Sequence, residues 1–180
     1  MKRSLAFIPL VILVVFNFGC QDQPALAQLG EMTAQAEVEK ENKEIVRRYW
    51  DGKWNQRSPA ILDELQSPDV VYRSPSMEMN GLEEYKLVYG AFASALHDSQ
   101  LTVDDIIAED DRVMTRVTIR CTHKGELEGI PPTGKTLTVS AFTVFHLVNG
   151  KIVEEHELLD ELGMMHQLGM ELGPATVESE

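Results

Sequence analysis

Two β-rich runs near the end of the chain carry the residues best suited to chemistry. The runs, 135–148 and 151–159, flank Asn149-Gly150, a dipeptide that strongly favours a β-hairpin. His146 stands three residues before this turn, and Asp160 follows the second run. An imidazole and a carboxylate are side chains that donate and accept protons in enzymes. We therefore expect any function to lie on this hairpin.

The length of the hairpin loop decides which side chains share a face. A two-residue loop pairs Val148 with Lys151 and puts His146 and Asp160 on opposite faces. A three-residue loop pairs Leu147 with Lys151 and gathers the ionisable groups, and a bulge further along would give the same facing. We favour the three-residue loop, because a face that mixes apolar and ionisable groups is typical of a ligand pocket. That face carries Phe142, Val144, His146, Ile152, Glu154, His156, Leu158 and Asp160.

The N-terminus has the pattern of an export signal. A short basic start, Met1-Lys2-Arg3, precedes an apolar run, 5–18, that is shorter than the about 20 residues needed to span a bilayer. Gly19-Cys20 resembles the end of a lipoprotein box with Cys20 lipidated, whereas Ala25-Leu26-Ala27 suits ordinary cleavage, and an uncleaved anchor is the third alternative. We expect residues 1–27 to be a leader, and the protein to be exported, either periplasmic or held at the membrane by a lipid.

Charge and cysteine content exclude several classes of protein. The 180 residues contain 16 Lys and Arg against 29 Asp and Glu, a formal net charge of −13. Such a surface repels nucleic acid and anionic lipid headgroups, so we expect no nucleic-acid partner. Cys121 is the only cysteine besides Cys20, so the mature domain cannot form an internal disulfide and needs a hydrophobic core.

Hydrophobic periodicity predicts helices first and strands afterwards. A small, polar linker over 28–36 leads into the domain, 37–169, and a flexible tail over 170–180 follows it. The predicted helices are 37–55, a short helix from Ser58-Pro59 to residue 65, 82–96 and 162–168. The predicted strands are 69–73, 100–108, 112–123 and the two hairpin runs. This order indicates an α+β domain whose curved antiparallel sheet is covered by helices.

Three stretches of the chain carry a resemblance to a known family. They are Glu128-Gly129-Ile130-Pro131-Pro132-Thr133-Gly134-Lys135, Asn149-Gly150-Lys151-Ile152-Val153-Glu154, and Asp160 with Leu168-Gly169. Together they resemble the SnoaL-like polyketide (ester) cyclases, over about residues 41–169. The resemblance implies the cone-shaped nuclear-transport-factor-2-like (NTF2-like) fold, in which the sheet wraps over N-terminal helices around an internal pocket.

The resemblance also implies an activity and its residues. Members of the family close a ring by intramolecular aldol chemistry without a cofactor, so we expect neither cofactor nor metal. Asp160 matches the family's acid/base residue near the end of the last strand, and His146 matches a histidine on the strand before it. His156 stands where relatives tend to carry tryptophan, and Arg73 where they often carry histidine, so the pocket differs from theirs.

Proton removal next to a carbonyl needs a base within hydrogen-bond reach and a donor for the developing enolate oxygen. Asp160 is the predicted base, and His146, or an inward Arg116, is the predicted donor. Further predicted pocket residues are Tyr72, Phe142, His156 and Leu158. The other aromatic residues are expected in the core rather than at a binding site: Tyr49, Trp50, Trp54, Tyr85, Tyr89 and Phe92.

Two functions fit these observations. The first is a cofactor-independent cyclase, isomerase or lyase acting on a small carbonyl compound. The second is an exported module that binds a small apolar ligand without transforming it. Export favours the second, because polyketide intermediates are made inside the cell, and the ionisable pocket favours the first. We also expect a homodimer formed through the face that carries Phe145, Leu147 and Val153.

Overall fold

A computed structural model of the chain describes residues 23–170 and Gly173. The chain divides into two units, with the boundary after Ala34. In the first unit the described residues are helical, and their side chains from Pro24 onward are exposed. The second unit, from Gln35, contains the described strands and the hydrophobic core. No helix among residues 23–170 is long and apolar enough to cross a membrane.

The described residues form four α-helices and one π-helical turn. They are α1 (Gln23–Trp50), the π-helical turn (Asp51–Asn55), α2 (Ala60–Leu65), α3 (Leu82–Ala95) and α4 (Glu161–Leu168). Because α1 begins at Gln23, the predicted helix start at residue 37 is wrong, and the predicted linker over 28–36 is helical. Gln, Leu, Ala, Met and Glu, which make up most of that stretch, are all good helix formers. Cys20 and most of the predicted signal peptide lie within residues 1–22, outside the described part of the chain.

Six strands form one sheet in the order β2-β1-β6-β5-β4-β3. They are β1 (Gln66–Arg73), β2 (Glu78–Asn80), β3 (Leu96–Glu109), β4 (Arg112–His123), β5 (Thr136–Val148) and β6 (Lys151–Leu159). Neighbouring strands are antiparallel except for β1 and β6, which run parallel, so the predicted antiparallel sheet is in fact mixed. The α+β class is confirmed.

The β5–β6 hairpin has the two-residue loop and a bulge. Val148 pairs with Lys151, and Asn149 and Gly150 have φ values of 51° and 75°, as a type I′ turn requires. A register shift follows between His146 and Leu147, after which His146 pairs with Glu154. The favoured three-residue loop is therefore wrong, but the bulge predicted as its alternative is present and brings His146, Glu154, His156 and Leu158 to one face. Ile152, which was predicted on that face, pairs with buried Leu147 on the other.

Burial shows which face of the hairpin turns inward. Phe145, Leu147 and Glu155 are 0%, 3% and 0% exposed, and they define the inner face. Phe142 and Leu158 are 48% and 59% exposed and define the outer face, which also carries His146 and His156. The predicted pocket face is thus the outer face of the sheet, and this assignment was wrong.

An aromatic cluster fixes helix α1 to the inner face. The ring centroid of Phe145 lies 5.7 Å from that of Tyr49 and 5.5 Å from that of Trp50, both in edge-to-face geometry. The indole N–H of Trp50 donates to Thr115 Oγ1 on β4 at 3.2 Å. Buried aromatic pairs of this geometry contribute about 0.5–1.5 kcal/mol beyond their apolar burial. The end of α1 and the π-helical turn are therefore held against the sheet.

Candidate active site

A cavity of about 180 Å³ lies between the inner face of the sheet and helices α3 and α4. Its wall is largely apolar and includes many flexible or aromatic side chains: Trp54, Met77, Met79, Val88, Tyr89, Phe92, Met164 and Met165. Polar side chains enter the same wall from four directions: Lys53, Tyr72, Tyr85 and Glu157. A small number of polar groups in an apolar hollow is typical of a small-molecule site.

Glu157 on β6 is the carboxylate most firmly positioned in this cavity. The Tyr72 hydroxyl donates to Glu157 Oε1 at 2.9 Å, and Thr143 Oγ1 donates to Oε2 at 3.3 Å. Burial, reinforced by the charge of Glu157, raises the pKa of Tyr72 well above its usual range. Tyr72 therefore remains a phenol and a hydrogen-bond donor at neutral pH, which orients the carboxylate.

Glu155 lies two residues earlier on the same face and is completely buried. Gln66 Nε2 donates to its Oε1 at 2.8 Å, and the Tyr85 hydroxyl donates to Oε2 at 3.1 Å. Burial raises the pKa of Glu155, and the positive charge of Lys53 opposes that rise. Because it lies behind Tyr85, Glu155 acts on the cavity through that hydroxyl and does not itself line the wall.

Lys53 brings a positive charge into the same wall from the π-helical turn. Its side chain is 6% exposed, and Nζ donates to the hydroxyl of Tyr49 at 3.2 Å and to that of Tyr85. Five aromatic ring centroids lie 4.9–5.8 Å from Nζ, a distance that favours cation–π attraction. Turns of π-helix are frequent at functional sites, and here the turn directs Lys53 inward.

These groups provide the parts that enolate chemistry needs. Glu157 is a carboxylate that accepts protons, and it is oriented by Tyr72. Lys53 uses two of its three N–H groups on Tyr49 and Tyr85, and the third is a donor in an apolar surrounding, where hydrogen bonds to a developing oxyanion are strong. Tyr85 donates its own O–H to Glu155 and so positions Lys53 rather than the substrate. Burial and the charge of Glu155 raise the pKa of Tyr85, so this phenol stays protonated as well.

Asp160 occupies a different place from the one predicted. It is the N-cap of α4, is exposed, and its Oδ1 accepts the Gly163 N–H at 2.9 Å. The cavity wall does not include it. Aspartate directly before a helix satisfies an otherwise unpaired N–H, which explains its position physically. The prediction that Asp160 faces an enclosed pocket is therefore wrong.

His146 lies on the outer face and does not meet Asp160. Its Nε2 is 3.0 Å from the Asp111 carboxylate. His146 pairs with Glu154, whereas Asp160 bonds to Ser140 through its backbone, six positions along β5 and about 20 Å away. The predicted acid–base pair is thus separated by most of a strand.

Most of the predicted ligand-binding residues also lie on the outer face. Arg116 forms ion pairs with Asp104 at 3.3 Å and Asp105 at 2.6 Å on β3. His156 Nε2 is 3.0 Å from Glu154, and this hydrogen bond lowers the pKa of Glu154. Phe142 and Leu158 are the exposed residues described above. Phe142, His156 and Leu158 were predicted in the pocket because the inner and outer faces of the hairpin were exchanged. Arg116 lies on β4, and its predicted role required an inward side chain that the structure does not show.

Tyr72 is the one predicted pocket residue that lines the cavity. Lys53, Tyr85 and Glu157 were not among the predicted site residues. Trp54, Tyr85 and Tyr89 lie in the core as predicted, with Phe92 packed against it, and all four also line the wall. The sequence did contain a signal for Glu157. Glu155 and Glu157 are two residues apart on β6 and so share a face, and that face also carries Phe145 of β5.

The face predicted for dimer contact is wrong, because Phe145 and Leu147 are buried in the core of the same chain.

Comparison with known proteins places the chain in a family. The family model of SnoaL-like polyketide cyclases matches residues 44–168, so the chain belongs to that family. The aklanonic acid methyl ester cyclase DauD of Streptomyces sp. (strain C5) is 26% identical over 132 residues, which cover 71% of this chain and 78% of that protein. Membership supports a function of the polyketide cyclase or isomerase type.

Solved structures show the same fold. A putative hydroxylase of Streptomyces galilaeus, AclR, is 28% identical, covers 79% of this chain and 91% of its own, and has a TM-score of 0.67. A putative SnoaL-like polyketide cyclase of Jannaschia sp. CCS1 is 21% identical, with coverages of 75% and 96% and a TM-score of 0.69. These similarities confirm the predicted NTF2-like architecture.

The link between Lys53 and Glu155 can be tested through stability. We expect Lys53→Met to lower the free energy of unfolding by about 3 kcal/mol at pH 8, because it leaves a buried carboxylate without a compensating charge. The loss should be smaller at pH 5, since a raised carboxyl pKa means that stability is lost as pH rises through that pKa. The measurement is chemical denaturation at both pH values.

The double variant Lys53→Met/Glu155→Gln is the matched control. It removes both charges, and the new amide would keep an acceptor for Tyr85, so much of the lost stability should return. The Glu155→Gln single variant completes the comparison. If the stability losses of the two single variants simply add in the double variant, Lys53 and Glu155 do not interact, and the proposed link between them is disproved.

Proposed function

We propose that this chain is a cofactor-independent cyclase or isomerase that uses Glu157 as acid and base on a small carbonyl compound. The supporting observation is the position of Glu157 in an apolar cavity, where Tyr72 orients its carboxylate at 2.9 Å. The role that the family resemblance gave to Asp160 passes to Glu157, because Asp160 caps α4 instead. The relative DauD is named as a methyl ester cyclase, which supports ring closure as the reaction.

The proposed reaction begins with proton transfer to Glu157. The carboxylate removes a proton from the carbon next to a substrate carbonyl, and Lys53 donates a hydrogen bond to the enolate oxygen that forms, through the N–H that neither Tyr49 nor Tyr85 accepts. The enolate carbon then forms a bond to a second carbonyl carbon of the same molecule, whose oxygen becomes an alkoxide. Glu157 returns its proton to that oxygen. The product is an isomer of the substrate, so no co-reactant is needed.

Solvent exchange of a ketone's α-protons tests the first step without knowledge of the natural substrate. We expect the protein to accelerate deuterium exchange at the α-carbons of 2-tetralone, followed by NMR. Glu157→Gln should reduce this acceleration by about 100-fold or more, the usual contribution of a general base. Asp160→Asn, which also removes a carboxylate, should leave it within about twofold, because a cap affects helix stability rather than the cavity.

Two results would contradict this assignment. Equal losses in the two variants would return Asp160 to the reaction, and an unaffected Glu157→Gln would remove Glu157 from it. If 2-tetralone binds to the wild type without any accelerated exchange, the protein is a binding module, the second function that the sequence suggested.

Export is a further part of the proposal. It is supported by the basic start and apolar run of residues 1–18, and we propose the lipid route through Cys20. Processing before Cys20 keeps all the described residues of helix α1, Gln23–Trp50, whereas cleavage after Ala27 removes its residues 23–27.

Fractionation of bacteria expressing the full chain tests this route. We expect the protein in the membrane fraction with a lipid-modified N-terminal Cys20, detected by mass spectrometry. Cys20→Ala should prevent the modification, and Cys121→Ala, which changes a buried thiol on β4, should not. A mature protein that begins at Gln28 would overturn the lipid route, and an unprocessed cytosolic protein would overturn export.

We also propose that the predicted homodimer forms through the outer face of β4, β5 and β6. Met114, Phe142 and Leu158 are 38%, 48% and 59% exposed there, and Phe142 pairs directly with Leu158 across the strands. Contiguous exposed apolar side chains favour protein contacts.

In sedimentation at micromolar concentration we expect the wild-type protein to be a dimer and the Phe142→Glu variant to be a monomer. Leu87→Glu, at an exposed site on α3, should stay dimeric, and a monomeric wild type would refute the dimer.

A further inference from the structure

The charges around the cavity are strongly unbalanced. The wall includes four charged side chains: Lys53, Glu128, Glu157 and Glu161. The positive charge of Lys53 already interacts with buried Glu155, since it opposes the rise in the pKa of that carboxyl. The three carboxylates of the wall therefore outnumber its one positive charge, which buried Glu155 already counterbalances.

Hydrogen bonds to these carboxylates come from neutral groups. Glu157 accepts from Tyr72 and Thr143, and Glu161 accepts from Ser76 Oγ at 2.5 Å. Within residues 23–170, none of the three wall carboxylates forms an ion pair with a lysine, arginine or histidine. Their charges are thus oriented by the fold but not neutralised by it.

The conformation of Glu128 adds to this picture. Glu128 and Gly129 form the tip of a tight turn between Leu127 and Ile130, and their φ values are 50° and 82°. A left-handed conformation is uncommon for glutamate, and this turn type prefers asparagine, aspartate or glycine. Leu127 is 3% exposed and anchors the turn in the core. Glu128 is itself exposed, so the anchored turn holds it at the solvent-facing edge of the cavity wall.

The cavity wall also contains an unused neutral donor. Trp54 is 9% exposed, and its indole N–H has no hydrogen-bond partner among the described residues. A buried N–H without an acceptor is costly, and the carbonyl oxygen of an uncharged ligand would satisfy it. This observation is independent of the carboxylates and favours a ligand that brings a hydrogen-bond acceptor into the cavity, while the carboxylates decide which charge that ligand can carry.

We propose that Glu128 and Glu161 select ligands by charge, so that the cavity admits uncharged or cationic apolar molecules and rejects carboxylates. An anion that enters loses its hydration in the largely apolar cavity and meets the like charges of half-buried Glu157 and Glu161, with exposed Glu128 at the edge of the wall. An ester or ketone with the same carbon skeleton loses little hydration and avoids the repulsion. This selection rests on the proposed function only in taking the cavity as the substrate site.

Three probes with one ring system test the selection: methyl naphthalene-2-carboxylate, naphthalene-2-carboxylate and 2-naphthylmethylammonium. Their dissociation constants are measured by calorimetry at pH 7 and low salt. We expect the ester and the ammonium to bind and the carboxylate to bind more than about tenfold more weakly. The affinity gap is the ratio of the dissociation constants of the carboxylate and the ester. Glu128→Lys and Glu161→Gln should each narrow this gap, the lysine variant by about tenfold.

Glu109→Gln is the matched control. It removes one carboxylate at the end of β3, thirteen residues along the strand from Leu96 in the cavity wall, and should leave the gap unchanged. Equal binding of the ester and the carboxylate by the wild type would overturn the selection. So would a gap that neither Glu128→Lys nor Glu161→Gln narrows, or the failure of the ester to bind.

These measurements separate the selection from the catalytic proposal. Binding is read without turnover, so the charge selection stands or falls whether or not the protein exchanges the protons of 2-tetralone. A protein that rejects the carboxylate but shows no exchange keeps the selection and loses the catalytic role of Glu157. A protein that exchanges protons but binds the ester and the carboxylate equally keeps the catalytic role of Glu157 and loses the charge selection.

Discussion

The buried carboxylate of Glu155 is the interaction on which the cavity depends. It receives hydrogen bonds from Gln66 on β1 and Tyr85 on α3, while Tyr85 also contacts Lys53 in the π-helical turn. One ionisable group on β6 thus connects a parallel neighbour strand, a covering helix and the end of α1. A carboxylate in the core is unfavourable by itself, so these partners must all be in place, and their placement shapes the polar half of the cavity.

Much of the fold could be read from the sequence, because its signals are local. The predicted bounds of β4 and β6, residues 112–123 and 151–159, are those observed, and the inward face of β4 follows from plain alternation. The parallel pairing of β1 with β6 had no such signal, since it joins residues that are more than eighty positions apart. The three residues of β2 were too few to show a period.

The candidate site was harder to predict, because it depended on which face of the hairpin turns inward. The hairpin bulge was considered, yet the ionisable side chains of His146 and His156 suggested a pocket, and burial shows that their face is outside. Asp160 matched the family motif, but a motif cannot distinguish a carboxylate in a cavity from one that caps the next helix. Which face of a mixed strand is buried is a tertiary property, decided here by the packing of Tyr49 and Trp50 against Phe145.

The alternation of β6 has a consequence for how this protein can evolve. Glu155 and Glu157 point to the interior, while the residues between and after them, His156 and Leu158, point to the surface. Alternate residues of one short segment therefore determine the ligand preference and the surface properties, and substitutions can change either property without changing the other. A change in the length of that segment has no such freedom, because gaining or losing a single residue would exchange the two sets at once.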